Sequence, residues 1–228
     1  GDQMQLSQPM RAKHEGYARM SSLDFILEDK DTISADRGIF LNTTRRLNKK
    51  ICDFISSSFY DSRLTSDPIT ETRSVNLKLD PIKDEGLFYV PIEHSGCSQR
   101  SDEEADLIEK TYNKIINKEF KVGKNTGKIS AKDIMVVAPY NAQANNIRER
   151  LKKKFKEEVR VGTIDLFQGQ EAKVVLISMT TSDVESLPRH KDFFFSRNRL
   201  NVAISRAECV AIIIFNENLL LASASNIK

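Results

Sequence analysis

Apolar positions in this chain follow two rhythms. Short, nearly uninterrupted runs read as strands: GLFYVPIE (86–93), IMVVAPY (134–140), VRVGTI (159–164), KVVLISMT (173–180) and CVAIIIFN (209–216). Continuous apolarity with β-branched residues, clearest in IMVVAPY, predicts a strand buried on both faces. Elsewhere the apolar residues space out to helical intervals. In RLNKKICDFISSSFY, Leu47, Ile51, Phe54 and Ile55 mark one helical face. SDEEADLIEKTYNKII opens with a Ser101–Glu104 capping box and carries Ile108, Tyr112 and Ile115 on one side. AQANNIRERLKKKF follows the second strand, and SRNRLNVAISRA precedes the last. GIFL (38–41) is a further short apolar run ahead of the first helix. Residues 61–85, polar and interrupted by two prolines, read as a surface excursion within one domain, and the first 37 residues have weak periodicity.

Strands alternating with helices predict a mostly parallel sheet covered on both faces, an α/β domain. In such sheets ligands gather at the carboxyl ends of the strands. Polar clusters lie just past the apolar runs: Tyr140 and Asn141 after IMVVA, Thr163 to Glu171 after VRVG, and Asn42 to Arg46 after GIFL. Element order therefore predicts that these clusters share one edge of the sheet.

Composition changes this picture little. The chain has 228 residues, enough for one large domain, and its charged content is slightly high. A net charge of +3, the difference between 35 basic and 32 acidic residues, is too small to signal nucleic-acid binding by itself. Contact with phosphate must come from local placement. Three scattered cysteines and three scattered histidines give no metal-ligand spacing and no disulfide framework. No stretch is apolar enough to span a bilayer, and no signal peptide is visible, so a cytoplasmic protein without a membrane partner is expected.

Each polar cluster, alone, has a structural explanation. Asp165 could cap a short helix and Gly169 could supply a special backbone angle. Arg206, near a helix C-terminus, could cap carbonyls, and Asn198 and Asn201 could be solvated or cap-forming. Lys152, Lys153, Lys154 and Lys156 read as a solvated helix face. Arg45 and Arg46 break a local rule, because positive charge at a helix start opposes the macrodipole.

The order of these fragments resembles the second motor half of superfamily 1 helicases, in the subgroup of RNA-decay helicases and nuclease-helicases of DNA replication. GDQMQL (1–6) resembles motif III, TTRRLNKKICDFISSSFY the arginine motif after it, and VVAPYNAQ motif IV. VGTIDLFQGQEAKVVLIS is similar to motif V and RNRLNVAISRA to motif VI. FFFSRNRLNVAISRA is especially like a bacterial branch often joined to a RecB-type nuclease, which extends the expectation to a fused nuclease.

The resemblance implies a RecA-like α/β domain that lacks its own P-loop. It implies one domain over 1–228: motif III and an inter-half connection (1–37), a core (38–216) and a C-terminal helix or tail (217–228). ATP, with Mg²⁺, would lie in a cleft between this domain and an N-terminal RecA-like half, and none is expected bound to this piece alone. Gln5, Arg46 and Arg206 are implied as the γ-phosphate residues, Glu171, Gly169 and Arg45 as nucleotide-binding residues. Thr163, Tyr140 and Asn141 are implied to face single-stranded nucleic acid, DNA favoured over RNA. Two absences fit a half motor: no GxxxxGK[ST] occurs and no Asp-Glu pair ends an apolar strand; separately, Arg45 stands where the family usually has an aromatic that stacks on adenine. The alternative is a non-catalytic docking module for nucleic acid or protein, derived from a helicase.

Overall fold

The computed structural model describes residues 1–6, 16, 20–28, 30–155, 158–183 and 196–221. The elements in chain order are α1 (Ser22–Leu27), β1 (Thr43–Thr44), α2 (Lys49–Phe59), β2 (Thr65–Ser66), β3 (Ser74–Val75), β4 (Gly86–Pro91), α3 (Asp102–Ile115), β5 (Glu119–Val122) and β6 (Asn125–Lys128). They continue with β7 (Ile134–Val137), α4 (Asn141–Lys154), β8 (Arg160–Gly162), β9 (Ala172–Ser178), α5 (Arg197–Ile204) and β10 (Ala207–Phe215).

β4, β10, β9, β7 and β8 pair in that order, and every pairing is parallel. All four residues of β7 are buried, as continuous apolarity requires of a strand with helices over both faces. On one face Ile108 and Tyr112 of α3 and Ile147 and Leu151 of α4 pack over Val136 and Ile212. On the other, Ile51 and Ile55 of α2 and Val202 and Ile204 of α5 pack over Val175 and Ile213. Each fully buried aliphatic contributes about 1.5–3 kcal/mol, which makes these two layers the main source of stability.

Parallel pairing gives the sheet two chemically distinct edges. At the amino edge lie Asp133, Glu171 and Arg206, the residues just before β7, β9 and β10. At the carboxyl edge lie Tyr140, Thr163, Thr180 and Asn216.

Three expectations need correction, and one hairpin was not foreseen. GIFL is no strand: residues 38–41 are irregular, with Ile39 and Leu41 strongly exposed. Residues 61–85 are more than a surface excursion, since Val75 and Leu77 are fully buried in the core under α3. β5 and β6 form an antiparallel hairpin, turned by Gly123 at φ +63°, that joins β3 in a small three-stranded sheet. The capping box is half made. Ser101 Oγ accepts from Glu104 N at 3.1 Å, but Ser101 N is satisfied by Gln143 Oε1 at 2.9 Å, and the Glu104 carboxylate points into the core. Residues 222–228 of the tail lie outside the described residues; Glu217–Leu221 is a 3₁₀ turn.

Candidate functional site

Arg206 follows the last turn of α5 and immediately precedes β10, so its backbone is fixed by both. Its side chain is almost wholly buried. Nε donates to Val202 O at 3.1 Å, Nη1 to Gln170 O at 3.1 Å, and Nη2 to Gln5 Oε1 at 3.5 Å. Three of the five guanidinium N–H groups are thereby engaged, and two have no partner among the described residues. Burial pulls its pKa down to about 10, and the nearby Arg46 cation acts in the same direction.

Arg46 arrives from the turn between β1 and α2. Arg73 Nη1 grips its carbonyl at 2.6 Å, and Asn48, the N-cap of α2, accepts from Lys50 N and Ile51 N. Arg46 Nε donates to the Glu171 carboxylate at 2.7 Å and Nη1 to Ser205 O at 3.4 Å. Glu171 is delivered by Gly169, whose φ of +79° an L side chain rarely adopts. A Cβ there would meet nothing within 4 Å, so the glycine serves backbone conformation and not close approach. The fold thus brings Gln5, Arg46, Glu171 and Arg206 together at the amino edge. Beside them opens a cavity of about 480 Å³, lined by Gln5, Arg46, Tyr60, Asn201 and Ser205 and by apolar side chains such as Phe40. Arg45 stays outside it, highly exposed, and pairs with Asp67 at 3.3 Å.

Tyr140, Asn141 and Thr163 sit at the other edge. Tyr140 is the N-cap residue of α4, and burial pushes its phenol up to about 12, an effect partly opposed by a hydrogen bond with Thr181. Asn141 is exposed at the first turn of α4, and Thr163 opens the 3₁₀ turn Ile164–Phe167. The expectation of one shared edge is therefore wrong. GTIDLFQGQE is itself the return path: Thr163 leaves β8 at the carboxyl edge, the 3₁₀ turn descends, and Glu171 enters β9 at the amino edge. Asp165 does not cap that turn but pairs with Arg199 at 2.9 Å. Lys152, Lys153 and Lys154 are exposed, Lys154 paired with Glu109 at 3.0 Å; Lys156 lies outside the described residues.

Two sets of residues escaped sequence reasoning. Asn198 and Asn201 are neither solvated nor caps: their side-chain amides donate to the carbonyls of residues 3, 4 and 5. Their i, i+3 spacing on a short helix was the available signal. The second set is a buried network at the carboxyl edge. Glu104 accepts from Thr180 N at 2.8 Å and also bonds Ser178, while His94 bridges Glu104 at 3.1 Å and Ser182 at 2.8 Å. Thr180, a β-branched residue held at φ +70°, is the strained point of this edge. Among the described residues no His, Cys, Asp and Glu cluster could hold a metal, and no helix is long and apolar enough to cross a membrane.

The "AAA domain" family matches residues 22–218. The chain belongs to this family. The DNA polymerase alpha-associated DNA helicase A of Schizosaccharomyces pombe is 31% identical over 231 residues, covering 96% of this chain and 33% of its own length. An uncharacterized ATP-dependent helicase of Methanocaldococcus jannaschii is 31% identical over 196 residues, covering 77% of this chain and 26% of its own. The chain thus spans a third or less of these curated relatives. Among solved structures, the PRRSV helicase aligns with 77% of this chain and 23% of its own, at 19% identity and TM-score 0.33. The domain is of helicase type, an α/β RecA-like fold with a mostly parallel sheet between helices.

Proposed function

We propose that this domain is the second motor half of an ATP-dependent superfamily 1 helicase or translocase. It would act on single-stranded nucleic acid beside an N-terminal RecA-like half. The observation that carries the reading is the pairing of two guanidinium groups at the amino edge, one of them buried. Arg206 keeps its charge in a place where burial and Arg46 both oppose it, while Arg46 is salt-bridged to Glu171 at 2.7 Å. Two unengaged N–H groups on a fixed guanidinium suit a phosphoryl oxygen.

In this reading Arg206 and Arg46 hold the γ-phosphoryl group and stabilise the charge that spreads over its oxygens during hydrolysis. An arginine in this role contributes about 10³–10⁵ in kcat, roughly 4–7 kcal/mol. Gln5 reads the same group. Glu171, once Arg46 turns to phosphate, accepts from the ribose. Arg45, exposed at the rim, is available to stack on the base. No residue of this chain is assigned to Mg²⁺, and the absence of a GxxxxGK[ST] loop leaves the β- and γ-phosphates mainly to the other half. The isolated chain is therefore expected to hydrolyse no ATP.

Thr163, Tyr140 and Asn141 contact the strand from the carboxyl edge. DNA is favoured over RNA by the fission-yeast relative, named a DNA helicase, which covers nearly the whole chain. The likeness of FFFSRNRLNVAISRA to a bacterial branch often joined to a RecB-type nuclease is what supports a fused nuclease in the parent protein. The test is ATPase turnover of the intact protein with and without single-stranded DNA or RNA, for wild type and Arg46→Ala. Strand-stimulated turnover that falls at least about a hundredfold in the variant is expected. A protein that binds the strand without any ATPase would instead be a docking module.

A further inference from the structure

Gln5 and Arg206 are 201 residues apart in sequence, yet Arg206 Nη2 reaches Gln5 Oε1. Gln5 is brought there by a set of hydrogen bonds from α5 and α2 to residues 2–5. Asn198 Nδ2 donates to Gln3 O at 2.7 Å and Gln5 O at 2.9 Å. Asn201 Nδ2 donates to Met4 O at 2.7 Å and to the Tyr60 hydroxyl at 3.0 Å. Three successive backbone carbonyls are thus held by two carboxamides one turn apart. An amide nitrogen carries two hydrogens, so both donors are fully used.

The same set fixes which way the Gln5 amide faces. Tyr60 donates its hydroxyl proton to Asp2 Oδ2 at 2.8 Å, and that oxygen also accepts from Gln5 Nε2 at 2.7 Å. With its nitrogen on a carboxylate, Gln5 must present Oε1 to Arg206. Asp2 Oδ1 closes the turn by accepting from Met4 N at 3.0 Å. Asn201 is fully buried and Tyr60 nearly so. Burial, with the Asp2 charge adding, raises the Tyr60 phenol far above its ordinary range, which keeps it a proton donor.

We propose that Asn198, Asn201 and Tyr60 are positioning residues that clamp residues 2–5 onto α5. Gln5 and Arg206 then approach the γ-phosphate as one rigid pair, set by this half of the motor. The inference rests on the nucleotide roles of Gln5 and Arg206 given above. It adds that the glutamine's geometry is set by Asn198, Asn201 and Tyr60, residues that touch no phosphate themselves.

The experiment uses the intact protein with Asn198→Asp, which keeps shape but turns a donor toward two carbonyls into an acceptor. Tyr60→Phe keeps the ring and removes one hydroxyl, and serves if the first variant folds poorly. Hydrogen–deuterium exchange should show residues 2–6 losing about tenfold or more in protection, with α3 and α4 unchanged. Strand-stimulated kcat should fall by a similar factor with KM for ATP little altered. In a Gln5→Ala background, Asn198→Asp should cost nothing further, because its effect passes through Gln5. Unchanged exchange at residues 2–6, or losses from Gln5→Ala and Asn198→Asp that simply multiply, would overturn the clamp. A wild-type protein without strand-stimulated ATPase would overturn the nucleotide roles and the clamp's purpose with them, while the exchange result would still tell whether the contacts form.

Discussion

At the scale of single residues, the amino edge places charge where folding alone disfavours it. Arg206 is buried and lies beside Arg46, and its guanidinium pKa is drawn down to about 10. A cation whose folded pKa is lowered binds protons less readily than in the unfolded chain, so its charge costs stability at all pH values below about 10 and the cost is relieved only as pH rises through that value. Removing the charge should help folding, less what is lost at the carbonyls of Val202 and Gln170. Arg206→Met is therefore expected to unfold at the same denaturant concentration as wild type or later, by about 1–2 kcal/mol. Chemical denaturation at neutral pH checks it, and a loss of several kcal/mol would mean that Arg206 is a structural cap. The sequence showed Arg206 and Asn198 as polar residues on or just past one helix, but most of their partners are distant in sequence: Gln170 O and Gln5 Oε1 for Arg206, Gln3 O and Gln5 O for Asn198. A backbone carbonyl carries no residue identity, so no pattern could have pointed to Gln170 O or Gln3 O.

At the scale of elements, strands and helices were legible where one rhythm ran undisturbed. IMVVAPY and CVAIIIFN became β7 and β10, and the Ile51/Ile55 spacing became the buried face of α2. The β5–β6 hairpin was not legible, because lysines and polar residues occupy its exposed positions and only Phe120 and Val122 pack inward. Residues 61–85 misled for a related reason: two buried residues, Val75 and Leu77, are enough to anchor a segment that is otherwise polar. Leu77→Ala should thus cost about 2–5 kcal/mol, a core-like loss measurable by thermal unfolding, where a surface excursion would lose under about 0.5. Glu104 sits in the first turn of α3 but ties that helix to the strained Thr180 and to His94. Glu104→Ala leaves several buried donors unpaired and is expected to cost about 3–5 kcal/mol, with exchange at Thr180 and Thr181 rising first.

At the scale of the whole molecule, the parallel sheet holds the two proposed sets of residues apart. Residues implied for nucleotide lie at one edge and residues implied for the strand at the other, and VGTIDLFQGQE crosses between them beneath α5. The separation was implicit in the expected parallel sheet, because Glu171 and Arg206 precede apolar runs whereas Thr163 follows one; grouping the clusters only by the run they follow hid it. A turn of four 3₁₀ residues returns the chain to the opposite edge as effectively as a full helix, and nothing in its composition announces direction. A motor needs such a body, since movement at the nucleotide cleft must be transmitted to the strand through rigid elements. The most direct test measures both edges on one variant of the intact protein: ATPase turnover and fluorescence-anisotropy affinity for a single strand, for wild type and Arg206→Ala. Turnover lost by about 10³-fold or more with strand affinity retained is the predicted result. Normal turnover in the variant, or lost strand binding with turnover kept, would contradict the division of the sheet into a nucleotide edge and a strand edge.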